Sequence, residues 1–256
     1  MSGNPNSGLW HGSARCDRGI EVQVLACVGR GPEFEQPFLC QEKNRRTRSL
    51  EYAQADIMEL NILERRFDLI KCAGVLHHMR DPLAGWKILT DLLRPGGIMR
   101  IGLYSEAARQ CVVDGRARIV EDGYTTSSED IRRCRQDFVA MAEDGNPNMA
   151  KICSGQDFFS LSLCRDPLFH VQEHRFALPR LDDALKSLDL RFLGFEMQDQ
   201  DAIRKFKAFH PKKDDLTSLP LWNRFELENP DTFVGMYLFW CRKMRGGLDT
   251  GSAQGQ

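Results

Sequence analysis

FDLIKCAGVLHHMRDPLAGWKILTDLLRPGGIMRIGLY, residues Phe67 to Tyr104, writes a strand, a helix, a turn and a second strand with each boundary marked. The apolar run Phe67 to Ala73 is short and bounded, and Gly74 follows it. That pattern suits a strand buried on both faces, ending where the chain turns toward a ligand. Asp81-Pro82 supplies an N-cap with proline at the first helical position. Behind it, Leu83, Trp86, Leu89, Leu92 and Leu93 recur at helical spacing and define the face that packs on a sheet. Arg94-Pro95-Gly96-Gly97 stops the helix, and Ile98 to Tyr104 forms the next apolar run. Two such strands joined by a helix imply a right-handed crossover and parallel pairing, so the expected fold class is α/β.

A strand closing on GVLHH, a helix, then LRPGG and a strand together resemble the second half of a class I S-adenosylmethionine-dependent methyltransferase. The resemblance implies a Rossmann-like sheet with helices on both faces, S-adenosyl-L-methionine as cofactor, and methyl transfer to an acceptor that the sequence does not name. Leu50 to Ile57 (LEYAQADI) is similar to the segment that, in this family, holds the adenine. Carried over, Asp56 accepts a hydrogen bond from the adenine amino group and Ile57 packs on the ring. Cys72, Ala73 and Gly74 match the strand end that faces the methionine part of the cofactor. His77 and His78 sit beside the methyl-transfer region and are the candidate catalytic pair, because histidine is the natural base near neutral pH. Tyr104, ending the next strand, ranks below them. A solvated turn is the plain alternative for Asp56, since carboxylates mostly stay exposed.

The C-terminal half continues the likeness. Leu181 to Leu188 reads as a helix, Arg191 to Met197 as a strand and Thr232 to Lys243 as another. In the family these strands form an antiparallel edge hairpin, and here about thirty residues, including His210 to Asn229, separate them. Between the core and this end lies an insertion. It carries a helix led in by Ser127-Ser128, running through Ile131, Cys134, Phe138 and Met141 to a stop near Gly145. We read it as a lid over the substrate. Asp157 to Pro179 also looks like the region after the core in bacterial methyltransferases that occur alone or fused to tetratricopeptide repeats, which implies association with such repeats.

The N-terminus departs from the pattern. A cofactor site of this kind needs a glycine-rich loop after the first strand and an acid after the second. Val22 to Gly31 (VQVLACVGRG) offers a strand and two glycines, but only 56 − 31 = 25 positions separate Gly31 from Asp56. Two helices, two strands and their loops need roughly 35. Back-translating residues 1 to 48 and reading one nucleotide later restores both motifs. Asn4 to Gly19 then permits I-L-I-A-G-C-G-T-G-Q-H-A-V-I-E, and Cys27 to Arg46 permits a strand ending V-L-A-V-D. We therefore expect residues 1–48 to be an out-of-frame, poorly ordered start. Residues 49–105 would form the methyltransferase core, 106–180 the lid and substrate insertion, 181–245 the rest of the core with the edge hairpin, and 246–256 a disordered tail. A remnant unable to bind the cofactor is the alternative this start suggests.

Composition bounds the rest. The 256 residues, 42% hydrophobic, suffice for one α/β domain with insertions. A formal net charge of −1, with no basic cluster interleaved with aromatics, favours neither nucleic acid nor an acidic membrane as partner. No apolar run approaches the ~20 residues of a membrane span, and no apolar leader follows the start, so a cytoplasmic protein is expected. Nine cysteines without paired spacing point to reduced thiols. One rival motif exists: His170-Val171-Gln172-Glu173-His174 fits H-x-x-E-H, the inverted zinc-peptidase pattern. It lacks a long helix and a downstream ligand, since Pro179 follows within two turns, and polar lid residues explain it more simply. No metal is expected.

Overall fold

In the computed structural model, which describes residues 21–24, 39–42, 50–53, 55–169, 173–197 and 199–245, the Phe67–Tyr104 unit folds where its pattern places it. Strands β1 (Glu21–Val24), β2 (Leu39–Glu42) and β3 (Leu50–Ala53) precede it. The unit itself comprises β4 (Phe67–Ala73), α1 (Pro82–Leu92) and β5 (Leu93–Tyr104). The Asp81 carboxylate caps α1, accepting from the amides of Leu83 and Ala84 at 3.0 Å each, which satisfies two donors that the first helical turn leaves open.

After β5 come α2 (Gln110–Glu121), α3 (Ser128–Glu143), α4 (Pro147–Cys153) and α5 (Leu161–Phe169). The chain returns through α6 (Leu178–Ser187), β6 (Leu190–Phe195), α7 (Gln200–Phe209), α8 (Leu219–Glu228) and β7 (Met236–Lys243). The main sheet runs β1-β4-β5-β7-β6, while β2 and β3 form a separate antiparallel pair. β1 and β5 flank β4 in parallel. β7 runs antiparallel to both β5 and β6, so the expected edge hairpin is present.

Packing on this sheet differs from the expected strands buried on both faces. Met99, Ile101 and Leu103 lie opposite Cys241, Phe239 and Tyr237, and all six are fully buried. Trp86 and Leu89 of α1, Leu181 and Leu185 of α6, and Trp222 of α8 join them in one core. Each such side chain contributes roughly 1.5–3 kcal/mol relative to leaving it in water. The residues between them point the other way and are only half-buried: Lys71, Arg100 and Trp240. Their chemistry explains it, because Arg100 makes a two-pronged bond to Glu196 at 2.7 and 2.8 Å and the Trp240 indole donates to the same carboxylate. The described helices of the core pack on one face, and on the other Arg100, Glu196 and Trp240 stand beside the half-buried Ile98 and Leu193.

Two smaller differences concern boundaries. Arg94 to Gly97 ends α1 as read, yet it lies within β5: pairing with β4 jumps from Phe67↔Leu93 to Leu69↔Ile98, and Gly96 takes a φ of +81°. The stop signal is thus a bulge inside the strand. The thirty residues left unassigned before β7 form α7 and α8, held by Phe206 stacked on Trp222 with ring centres 3.7 Å apart.

The insertion has its own core. Ile119, Ile131, Cys134, Phe138, Met149, Phe158, Cys164 and Leu168, drawn from the four helices α2 to α5 and the turn before α5, bury one another apart from the sheet's cluster. Ser127 caps α3 as its sequence indicated, accepting from Asp130 N at 3.1 Å. Among the described residues no helix is long and apolar enough to cross a membrane. Most of residues 1–48 and the tail 246–256 lie outside the described residues, as do His170, Val171 and Gln172 of the H-x-x-E-H motif.

Candidate functional site

The ends of β4 and β5 converge on one cluster of polar and aromatic groups. After Ala73 the chain turns at Gly74, whose φ of +78° is a conformation L side chains rarely adopt. A short 3-10 turn, Leu76–His78, follows. It sets His77 against Tyr104 at the end of β5, with ring centres 3.7 Å apart and planes 28° from parallel. The Arg109 guanidinium also lies over the Tyr104 ring, 3.7 Å from its centre. His78 meets the Tyr104 ring edge-on at 5.6 Å. His77 is fully buried, whereas His78 is half-exposed, so His78 is the more accessible of the pair.

A strap from Glu173 to Phe176 fixes this cluster from outside. His174 N donates to the His77 carbonyl at 2.8 Å, and Phe176 N donates to the Tyr104 carbonyl at 2.8 Å. Glu173, whose carboxylate is wholly buried, accepts two bonds from Arg109 at 3.0 and 2.7 Å and one from Arg116 at 2.9 Å, with Arg175 at 3.8 Å. Burial lowers the Arg116 pKa, while Glu173 counteracts that shift. In the H-x-x-E-H reading Glu173 would serve as a zinc-site base on a helix. Here Glu173 to Arg175 is irregular backbone, and the carboxylate is committed to arginines.

Beyond Tyr104 lies a second buried group. Glu226 of α8 accepts from Tyr237 Oη at 2.8 and 2.7 Å and from Ser105 Oγ at 3.0 Å. Burial raises its pKa, and the bonds from Tyr237 and Ser105 only partly offset that. Between these networks opens a cleft of about 320 Å³. Tyr104 and Arg109 line it from the sheet side, Leu163 and Pro167 from α5, and Val234 to Met236 from the entrance of β7.

The residues carried over by resemblance are distributed unevenly. Cys72 points into the main core, and burial pushes its thiol up to about 12, so it is a neutral packing group. Only the backbone there can face a ligand. Ala73 lies on the half-exposed face. Gly74 leaves open space, since a Cβ at that position would meet nothing within 4 Å. Asp56 is exposed and caps the 3-10 turn Ile57–Ile62, accepting from Met58 N at 2.9 Å. Ile57 is buried in the same core as Cys72. The exposed Asp56 acceptor and the open space at Gly74 fit an adenosyl cofactor, whereas Ile57 has little surface left to offer a ring.

Arg109, Arg116, Ser105, Glu226 and Tyr237 escaped the sequence reading, which singled out Glu173 only as part of a zinc motif. Their partners stand 64, 57, 121 and 11 positions apart, and no local spacing reports such pairs.

Comparison with known proteins gives this architecture a class. Residues 17–101 match the family model described as a methyltransferase domain. The match and strand β1 both draw on the segment 1–48 as translated. An uncharacterized protein of Synechococcus sp. is 28% identical over 236 residues, which cover 84% of this chain and 55% of that protein. Two structures of PKMT2 from Rickettsia typhi share the fold. One superposes with a TM-score of 0.55 at 13% identity, covering 73% of this chain and 37% of that one. The other, in complex with AdoHcy, gives 0.54 at 15% identity over 75% and 38%. The chain thus spans little more than half the length of the Synechococcus relative and well under half of PKMT2. Residues 17–101 thus carry the match to a methyltransferase domain, and the chain has the Rossmann-like α/β fold that the two PKMT2 structures share.

Proposed function

We propose that this chain transfers a methyl group from S-adenosyl-L-methionine to an acceptor that enters the cleft between α5 and the entrance of β7. The observation that carries the reading is the open, positive-φ turn at Gly74 where the parallel strand β4 ends, since open α/β sheets bind ligands outside the carboxyl ends of their strands. Asp56 would receive the adenine amino group, and Ile57, buried in the core, would anchor the turn that carries it. The backbone of Cys72, Ala73 and Gly74 would run along the methionine arm. The cofactor supplies an electrophilic methyl group on a sulfonium, so the protein's task is to align a nucleophile with it and exclude water. Tyr104, held between His77 and Arg109, would orient the acceptor, and His78 would take its proton. The insertion, with its separate core, would act as the lid.

The competing reading, a remnant that no longer binds cofactor, draws on the lack of a glycine-rich loop before Asp56 and on the burial of Ile57. Hydrogen exchange with and without S-adenosylhomocysteine separates the two. Methyl transfer at this site predicts added protection at residues 55–62 and 73–78, and unchanged exchange there supports the remnant.

A further inference from the structure

The cleft beside Tyr104 carries information about the acceptor, and this inference rests on the methyltransferase reading above. We propose that the acceptor is a small amphipathic acid, its anionic group set against Arg109 and its apolar arm against Leu163, Pro167, Val234 and Met236.

The charge balance points this way. Arg109, Arg116 and Arg175 all lie within 4.0 Å of one carboxylate, Glu173, so among the described residues the cluster keeps an excess of two positive charges. Guanidinium groups stay charged at any pH the protein meets. Glu173 is buried, and both its oxygens already accept hydrogen bonds. Arg109 commits Nε and Nη2 to it, and its Nη1 has no hydrogen-bond partner among the described residues. The carboxylate on the far side of Tyr104, Glu226, is engaged by Tyr237 and Ser105. Glu106 is exposed, where water and salt screen it. With the Arg109 side chain only 10% exposed, an anion beside it feels a field stronger than in bulk water.

Shape supplies the other half. Leu163 and Val234 are 48% and 91% exposed, and both line the cleft, where an apolar arm would cover them. A single exposed apolar residue calls for no explanation, but two walls of one opening do. A volume of about 320 Å³ is at the small end of ligand pockets, so it suits a small molecule.

Octanoate, octan-1-ol and octylammonium share one chain and differ only in charge, so their dissociation constants, measured by saturation-transfer NMR titration, test the proposal. Octanoate should bind at least about tenfold more tightly than either of the others. Leu163→Glu, an exposed change that helical circular dichroism can show to be folded, should weaken octanoate and strengthen octylammonium. Equal affinities, a preference for octylammonium, or binding of none of the three would overturn the proposal. S-adenosylhomocysteine titrated in parallel keeps the readings apart: if it binds and octanoate does not, only the acid is refuted. If octanoate binds and it does not, the anion cleft stands and the methyltransferase reading falls.

Discussion

Replacing Glu173 by glutamine removes the one carboxylate that, among the described residues, Arg109, Arg116 and Arg175 share, with almost no change in volume. Three charge-assisted hydrogen bonds of 2.7 to 3.0 Å converge on that wholly buried carboxylate. Taking one partner from a buried ion pair costs about 3–5 kcal/mol, because the remaining charges keep their desolvation penalty without compensation. The amide oxygen of glutamine still accepts one bond, which returns about 1 kcal/mol. The expected loss is therefore about 3 kcal/mol, or roughly two decades in the unfolding equilibrium. For a chain of this size that lowers Tm by about 6–12 °C. Equilibrium urea unfolding measures it, with Asp91→Asn as control. The Lys87–Asp91 pair is 64% and 59% exposed, so its loss should stay within about 0.5 kcal/mol. If Glu173→Gln falls within 1 kcal/mol of the parent while the control behaves as stated, Glu173 does not anchor the site.

Gly74→Ala should cost about 1–2 kcal/mol of stability through its left-handed backbone, and it should weaken S-adenosylhomocysteine binding because the new methyl enters the open space; calorimetry reads both. The Glu226 pKa is raised by burial, so the folded state holds this proton at pH values where the unfolded chain has released it. Stability should fall as pH rises from the ordinary carboxylate range toward that raised value. Glu226→Gln should flatten the slope in thermal melts taken between pH 4 and 8. Phe138→Ala hollows the insertion's core, at a cost of about 3–5 kcal/mol. Hydrogen exchange should then rise across 110–169 well before it rises in β4 and β5. His78→Ala should lower turnover about 100-fold or more if His78 takes the proton, measured as S-adenosylhomocysteine release with a saturating acceptor.

The core of the fold was legible because its signals are local. Asp81-Pro82, the helical recurrence of Trp86 and Leu89, and the bounded run Phe67 to Ala73 each specify an element within a few residues, and the structure forms those elements at those places. The helix from Ser127 to the stop at Gly145 was readable for the same reason. Sheet faces were harder to read. FDLIKCA was read as buried on both faces, yet its two charged residues, Asp68 and Lys71, are half-buried, and Lys71 shares its face with Arg100, Glu196 and Trp240. The Arg100–Glu196 bond joins residues 96 positions apart. Helices α7 and α8 went unread because Phe206 and Trp222 are ordered by stacking on each other, a tertiary contact.

The candidate site divides along the same line. Gly74, His77, His78 and Tyr104 lie within one strand-helix-strand unit, and the structure brings the two histidines and the tyrosine together. The arginine cluster around Glu173 joins α2 to the strap after α5, and the motif that drew attention to Glu173 suggested a metal, where the fold supplies three guanidinium groups. Asp56 serves as a helix cap in this structure, and its side chain stays exposed.

Isothermal titration of S-adenosylhomocysteine into the chain tests the central claim most directly. One saturable site, weakened by Gly74→Ala and by Asp56→Ala, is the predicted result. Absence of binding to the folded protein would contradict the methyltransferase account and leave a remnant that keeps the fold without the cofactor.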